Sequence, residues 1–336
     1  VKITNYILSF REIPYPLIRS WVIGFVACLS FVLPSTLTVP TDYPNIQAGI
    51  DASVEGDTVL VLDGEFTGEG NYDIRITSKG IVLISESGPD NCTINAQGLD
   101  RCIVLASYIG EEINGFTITN GFADFSAGVS ILGEPFLIQN CIFLNNIATV
   151  EGGAVGTIMG HETVFNNCIF IGNQAPLGPG IAVGNWSDVY VYNSIIYDQI
   201  SPGVEGGYYT YYCLWSAELP FIQGSNNIIG DALFVDSDNG NFQLQLASPC
   251  INAGSPDYPT DPDGTLKDIG PYYYHLELQG DTNFDSSINV IDILITVSII
   301  LQETESYNAQ LWSADFNNDN VINVVDVLLI IDLILN

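Results

Sequence analysis

Apolar and polar residues recur along this chain with two different periods, and the change of period divides it. Thr58-Val59-Leu60-Val61-Leu62 is β-branched and apolar, the composition of a short strand, and it follows a turn at Gly56-Asp57. Ahead of it, Thr41 to Pro44 reads as a turn and Asn45 to Ala52 as a short amphipathic helix. Beyond it, Gly115-Phe116-Thr117-Ile118, Asn140-Cys141-Ile142-Phe143, Asn167-Cys168-Ile169-Phe170 and Asn193-Ser194-Ile195-Ile196 align at offsets of 25, 27 and 26 residues. A second ladder, Gly128-Val129-Ser130-Ile131, Ala154-Val155-Gly156-Thr157 and Gly180-Ile181-Ala182-Val183, repeats at offsets of 26 and 26. Two ladders sharing one period, with short strands and no long helical pattern, predict a parallel β-solenoid, in which each coil buries its apolar face against the next. A sandwich of hairpins would instead show turns about every 8 to 12 residues without that register. With Phe116, Cys141 and Phe143 pointing inward, period-two alternation places Thr117, Ile142, Ile169 and Ile195 in an outward row.

The second period begins near the C-terminus. Val290 to Leu301 and Val324 to Leu335 are apolar nearly all round, and each is long enough for about three helical turns. Each follows a 12-residue loop, Asp281 to Asp292 and Asp315 to Asp326, the second starting 34 residues after the first. Oxygen side chains fall at loop positions 1, 3, 5, 9 and 12: Asp281, Asn283, Asp285, Asn289 and Asp292, then Asp315, Asn317, Asp319, Asn323 and Asp326. The backbone carbonyls of Ser287 and Val321 stand at position 7. That order wraps a hard divalent cation in oxygens, and calcium, one ion per loop, is the natural occupant. Position 6 requires a positive φ; it is Ser286 in the first loop and Asn320, which tolerates that backbone better, in the second. The first loop is therefore expected to hold calcium more weakly, by about 1 kcal/mol.

A duplicated loop and helix, with Gly280 before the first loop and Ser313-Ala314 before the second, resembles a dockerin module. The resemblance implies calcium-dependent binding to a cohesin domain on a scaffold or surface protein, with loop positions 10 and 11 opening the partner-reading surface. Those positions are Val290, Ile291, Val324 and Val325, apolar where hydroxyl residues are familiar, so an unfamiliar partner is expected. A 57-residue module cannot bury such helices internally. Either a partner covers them or the module docks on its own solenoid as a cap.

The repeats carry a second resemblance. Val39-Pro40-Thr41-Asp42-Tyr43-Pro44-Asn45-Ile46-Gln47, Ser85-Glu86-Ser87-Gly88-Pro89 and Gly115-Phe116-Thr117-Ile118-Thr119-Asn120-Gly121 look like secreted bacterial right-handed parallel β-helix proteins of the pectate-lyase-like superfamily. Asp231-Ala232-Leu233-Phe234-Val235-Asp236, Ser248-Pro249-Cys250-Ile251-Asn252-Ala253-Gly254 and Asp261-Pro262-Asp263-Gly264 resemble the closing segment of such helices. The expected chain is an all-β right-handed parallel β-helix with a small α-helical dockerin-like domain carrying two EF-hand-like loops. Its expected parts are residues 1–36 as a signal peptide, 37–274 as β-helix, 275–279 as linker and 280–336 as the module.

Charge narrows the partners. Beyond residue 36 there are 38 acidic and 4 basic residues, a surface repelled by nucleic acid and anionic lipid and unfavourable to polyuronates unless calcium bridges them. The leader runs from Lys2, Arg11 and Arg19 through an apolar stretch, Trp21 to Leu33, to Pro34-Ser35-Thr36. This is the order of a secretory signal, too short to span a bilayer comfortably, so a secreted or surface location without a membrane span in the mature chain is expected. The six cysteines after Cys28 match no zinc spacing and read as small buried apolar residues, with a Cys92–Cys102 disulfide left open.

Catalytic candidates are sparse. No Lys or Arg occurs between Ile103 and Leu266, which removes the strong base and charge-neutralising groups that uronate elimination needs. Hydrolysis needs two carboxyl groups. The coil register places Glu162 beneath Asp188, with His161 beside both and Glu134 near, a pairing that would suit a glycoside hydrolase acting on polysaccharide. Acidic residues at a solvated bend are ordinary in so negative a chain. For binding rather than cleavage, Tyr208, Tyr209, Tyr211, Tyr212 and Trp215 offer stacking surfaces to a neutral polysaccharide, although core packing is the commoner fate of such residues.

Overall fold

The computed structural model describes residues 34–336 except 78, 108, 134–135, 159–161, 199, 202–206, 218–222, 277, 304–305 and 336. The expected signal segment falls outside the described residues but for its last three positions, and so do His161 and Glu134.

Each coil divides among three parallel sheets. Among the described residues the first has nine strands, from Thr36–Val39 to Gly224–Ser225; the second has eight, from Gly64–Phe66 to Ile228–Ile229; the third has six, from Ile74–Thr77 to Ile200–Ser201. The pairing follows the sequence ladders. Ile142 is opposite Ile169 and Ile169 opposite Ile195, while Val129 pairs with Val155 and Val155 with Ile181. The architecture is the parallel solenoid that the 26-residue period requires.

The ladder asparagines turn the chain from the first sheet to the second. Asn140, Asn167 and Asn193 hold φ of 53°, 54° and 47°, a left-handed conformation that Asn adopts more readily than most residues. Two of these side chains link successive corners: Asn140 Nδ2 donates to Asn114 Oδ1 at 2.9 Å and Asn193 Nδ2 to Asn166 Oδ1 at 2.9 Å. Inside, Phe143 stacks on Phe170 at 4.8 Å, and Phe165 meets both edge-on. The six described cysteines are buried free thiols, which answers the open question of a Cys92–Cys102 disulfide. Burial pushes the Cys102, Cys141 and Cys213 thiols up to about 12. Helix α1 (Ile46–Ala52) packs against the first coils; its cap Asn45 accepts from Ala48 N at 2.8 Å. Gly49 is required there, since a Cβ would lie 2.8 Å from Val39 Cγ2.

After the last coil the chain turns back and runs along the outside of the second sheet. Phe234, Phe242, Leu244, Cys250, Ile251, Ile269 and Leu276 form one buried cluster with Ile142, Ile169, Ile195 and Leu214. Tyr197 Oη donates to Asp231 at 2.8 Å, Ser255 N donates to Asn193 Oδ1 at 2.7 Å, and Gln243 Nε2 reaches Asp90 of an early coil at 3.0 Å. Tyr272 Oη donates to the same Asp90. This strap corrects one expectation. The isoleucine row does point away from the solenoid interior, but it is buried beneath the strap and is no open binding face.

Candidate functional site

The tail contains helices α2 (Val290–Ile300), α3 (Asn308–Ala314) and α4 (Val324–Leu335). The α3 segment was not foreseen from the sequence, although Ala309 and Trp312, three residues apart, carry its apolar face. Ahead of α2 and α4 the two loops repeat one hydrogen-bond ladder. Position 1 accepts from the backbone of positions 5 and 6: Asp285 N and Ser286 N donate to Asp281 at 3.2 and 2.7 Å, and Asp319 N and Asn320 N to Asp315 at 3.1 and 2.8 Å. Position 12 accepts from the backbone of positions 3 and 9, Asn283 and Asn289 onto Asp292 and Asn317 and Asn323 onto Asp326. Position 9 caps the following helix, with Ile291 N donating to Asn289 Oδ1 at 2.9 Å and Val325 N to Asn323 Oδ1 at 2.8 Å. Ser286 and Asn320 take the positive φ that position 6 demands, 65° and 63°.

Each loop carries three carboxylates, and among the described residues no Lys, Arg or His pairs with Asp281, Asp285, Asp292, Asp315, Asp319 or Asp326. Asp292 and Asp326 are fully buried. Buried carboxylates without a cationic partner suit a cation as the missing counter-charge. Among the described residues, no three His, Cys, Asp or Glu side chains converge tightly enough to hold a metal by themselves. The amides of Asn283, Asn289, Asn317 and Asn323 and the carbonyls of Ser287 and Val321 would complete each set, as oxygen ligation of a hard cation allows.

The helices expose what a free-standing domain would bury. Val290 and Ile291 are 63% and 49% exposed, Val324 and Val325 63% and 46%, so the four partner-facing candidates all reach solvent. Leu294 and Leu328, at 64% and 58%, extend the same apolar surface along both helices; the all-round apolar pattern of Val290–Leu301 and Val324–Leu335 implied such a surface without singling them out. The opposite side of the module rests on the strap. Ala309 joins the strap's buried cluster, Phe284, Tyr307 and Trp312 pack against it, and Asn308 Nδ2 donates to Pro249 O at 3.0 Å and Ile251 O at 2.8 Å. Docking on the solenoid and exposure for a partner therefore coexist, on different helices.

Residues 279–335 match the family model of the dockerin type I domain. The tail is a dockerin domain. Dockerin type I domains bind calcium and dock on cohesin domains, and proteins that carry them are typically extracellular. No curated protein matches the chain. Among solved structures, the crystal structure of pectate lyase Pel9A matches with a TM-score of 0.32 at 12% identity, over 72% of this chain and 96% of that one. Likeness at that level carries no chemistry from one chain to the other. No helix among the described residues is long and apolar enough to cross a membrane.

Away from the dockerin domain, the structure sorts the remaining candidates. Thr163 pairs with Val189, which puts Glu162 beside Asp188 at the same edge of the first sheet, with Glu162 exposed and Asp188 half-buried. Tyr208 and Trp215 point into the core and are buried, whereas Tyr209 and Tyr211 face outward and are half-buried. Tyr190 and Tyr192, which the sequence reading passed over, stack on them at centroid distances of 5.2 Å. An aromatic at every second position of two paired strands was the available signal.

Proposed function

We propose that this is an exported two-part protein: a β-helical cargo over residues 37–274, a connection at 275–279, and a dockerin domain over 280–336 that attaches it to a cohesin-like domain of a scaffold or surface protein. The leader over residues 1–36 acts as its signal peptide. The carrying observation is the apolar surface of α2 and α4, with Val290, Ile291, Val324 and Val325 exposed at its loop ends. Patches of this kind on a folded domain mark a docking surface. Two calcium ions, one in each loop, hold that surface in place, and the loop with Asn320 at position 6 retains its ion better than the loop with Ser286. Titration calorimetry of the full chain against a type I cohesin domain tests this. Binding should require calcium, with two ions taken up per chain, and should be lost in EGTA. Binding in EGTA, or affinity unchanged by Val290→Ser with Val324→Ser, would overturn the reading.

For the β-helix we infer contact with a neutral carbohydrate, because the chain's acidity and its lack of Lys and Arg between Ile103 and Leu266 leave a polyanion unpaired. A second reading, a glycoside hydrolase of a cellulosome-like complex with Glu162 and Asp188 as its carboxyl pair, draws support from their adjacent register. Loss of cleavage in Glu162→Gln and Asp188→Asn would favour it. Cleavage that survives both would remove the pair.

A further inference from the structure

We propose that the outward face of the first sheet carries, near its C-terminal end, a binding strip for a neutral glycan formed by Tyr190 and Tyr209 together with Glu162 and Asp188; this locates the carbohydrate contact inferred above and rests on that reading. The strip spans three neighbouring strands, Thr163–Asn166, Asp188–Tyr192 and Gly207–Tyr211. Val189, Val191, Tyr208 and Thr210 point inward and are buried, so alternation turns Tyr190, Tyr192, Tyr209 and Tyr211 outward. Tyr190 lies 5.2 Å from Tyr209 with 19° between ring planes, and Tyr192 repeats this on Tyr211 at 17°.

Two candidates that were separate in the sequence meet on this face. Asp188 precedes Tyr190 by two residues on the same side of its strand, and Glu162 holds the register position beside Asp188. Gly207 leaves the room they share: a Cβ there would lie 3.1 Å from both Asp188 Oδ1 and Tyr209 Oη. Burial first, then the charges of Asp188 and Glu162, raise the Tyr190 phenol above its ordinary range. The strip therefore joins aromatic carbon, phenol hydroxyls and carboxylate acceptors, the combination a sugar needs for its C–H face and its hydroxyls.

In the neighbouring coils the other two sheets offer less. Ile142, Ile169 and Ile195 of the second sheet are beneath the strap, and the third sheet there exposes Leu132 and Ile158, aliphatic side chains with nothing for a hydroxyl. Packing alone does not account for the tyrosines. The corresponding interior stack, Phe143 on Phe170, is fully buried, whereas the tyrosine rings stay half-buried at the surface.

Affinity electrophoresis of the full chain in calcium, with mixed-linkage β-glucan, galactomannan, xylan, polygalacturonate or chitosan cast in the gel, tests the strip. Retention is expected on at least one of the three neutral probes. Tyr190→Ala and Tyr209→Ala should each weaken it roughly tenfold, equivalent to about 1.4 kcal/mol, while Phe122→Ala, an exposed aromatic elsewhere, leaves it unchanged. Melting curves check that the variants fold. Should the alanine variants fail to fold, Tyr190→Phe with Tyr209→Phe keeps the stack, removes the hydroxyls and should still weaken retention. Neutral-probe retention that survives these substitutions overturns the strip and leaves the carbohydrate reading intact. No neutral retention at all, or retention on polygalacturonate or chitosan alone, overturns both.

Discussion

The solenoid buries amides and the tail exposes leucines, and each inversion has a physical cause. Within the coils Asn146, Asn173 and Asp198 form a continuous ladder. Asn146 Nδ2 donates to Asn173 Oδ1 at 2.9 Å and Asn173 Nδ2 to Asp198 Oδ2 at 2.7 Å, while each asparagine also donates to a carbonyl of the preceding coil. Along this ladder the buried amides persist because each coil supplies a partner for the last. In the tail the order is reversed. The buried positions of α2 are Asp292 and Thr296, and the leucines of α2 and α4 face water with Val290, Val324 and Val325, while Val327 and Ile330 turn inward. A repeat satisfies itself along its own axis, whereas a small three-helix unit leaves part of its apolar surface to a partner.

The comparison can be broken from either side. The largest effect is expected at the interior stack, where Phe170→Ala should cost about 3–5 kcal/mol in a denaturant titration of the β-helix. A loss under about 1 kcal/mol would show that stacked aromatics do not hold the coils. Asn173→Ala should come next, at about 1–3 kcal/mol, since it removes the acceptor of Asn146 and the side-chain donor to Asp198. If Asn173→Ala and an exposed control such as Asn91→Ala proved equally mild, the ladder would be decorative.

The third test uses pH. Burial is the main cause that lifts Asp268 to about 7 from an ordinary 3.8, opposed by the N–H groups of Asn252 and Tyr274 and reinforced by Asp261 and Asp263. A carboxyl raised in the folded state contributes stability that is complete below its unfolded value and is lost as pH rises through its folded value. The strap should therefore weaken between pH 4 and about 7, and Asp268→Asn should flatten that part of the melting profile. An identical slope in the variant would remove Asp268 from the account. The smallest effect on stability is expected in the tail, where Leu328→Ser should stay within about 0.5 kcal/mol of the parent. The same substitution should weaken cohesin binding by at least about tenfold, and a destabilised but fully binding variant would mean that Leu328 packs within the chain.

Much of this arrangement was legible in the residues. The 26-residue ladders predicted the strand register down to Ile142, Ile169 and Ile195, because a parallel coil must repeat its inward and outward positions at a fixed offset. The twin loops predicted a shared backbone conformation at Ser286 and Asn320, since a 12-residue loop closes around its centre in only one way. What escaped was contact between distant segments. Nothing in the repeats announces that residues after 231 return over the second sheet, as Gln243 reaching Asp90 and Phe242 covering the isoleucine row show. Tyr190 and Tyr192 escaped for a related reason: each is one ordinary strand residue until the next coil sets Tyr209 and Tyr211 against it.

The periodic architecture and the two oxygen-rich loops depend on spacing along one stretch of chain, so the order of residues was enough to specify them. Which faces remain available depends instead on how distant segments fold over one another. The isoleucine row and the tyrosine row are equally outward by alternation, yet the strap buries one and leaves the other half-exposed. The dockerin helices divide in the same way, α3 against the strap and α2 with α4 toward solvent, because burial depends on which distant segment lies opposite.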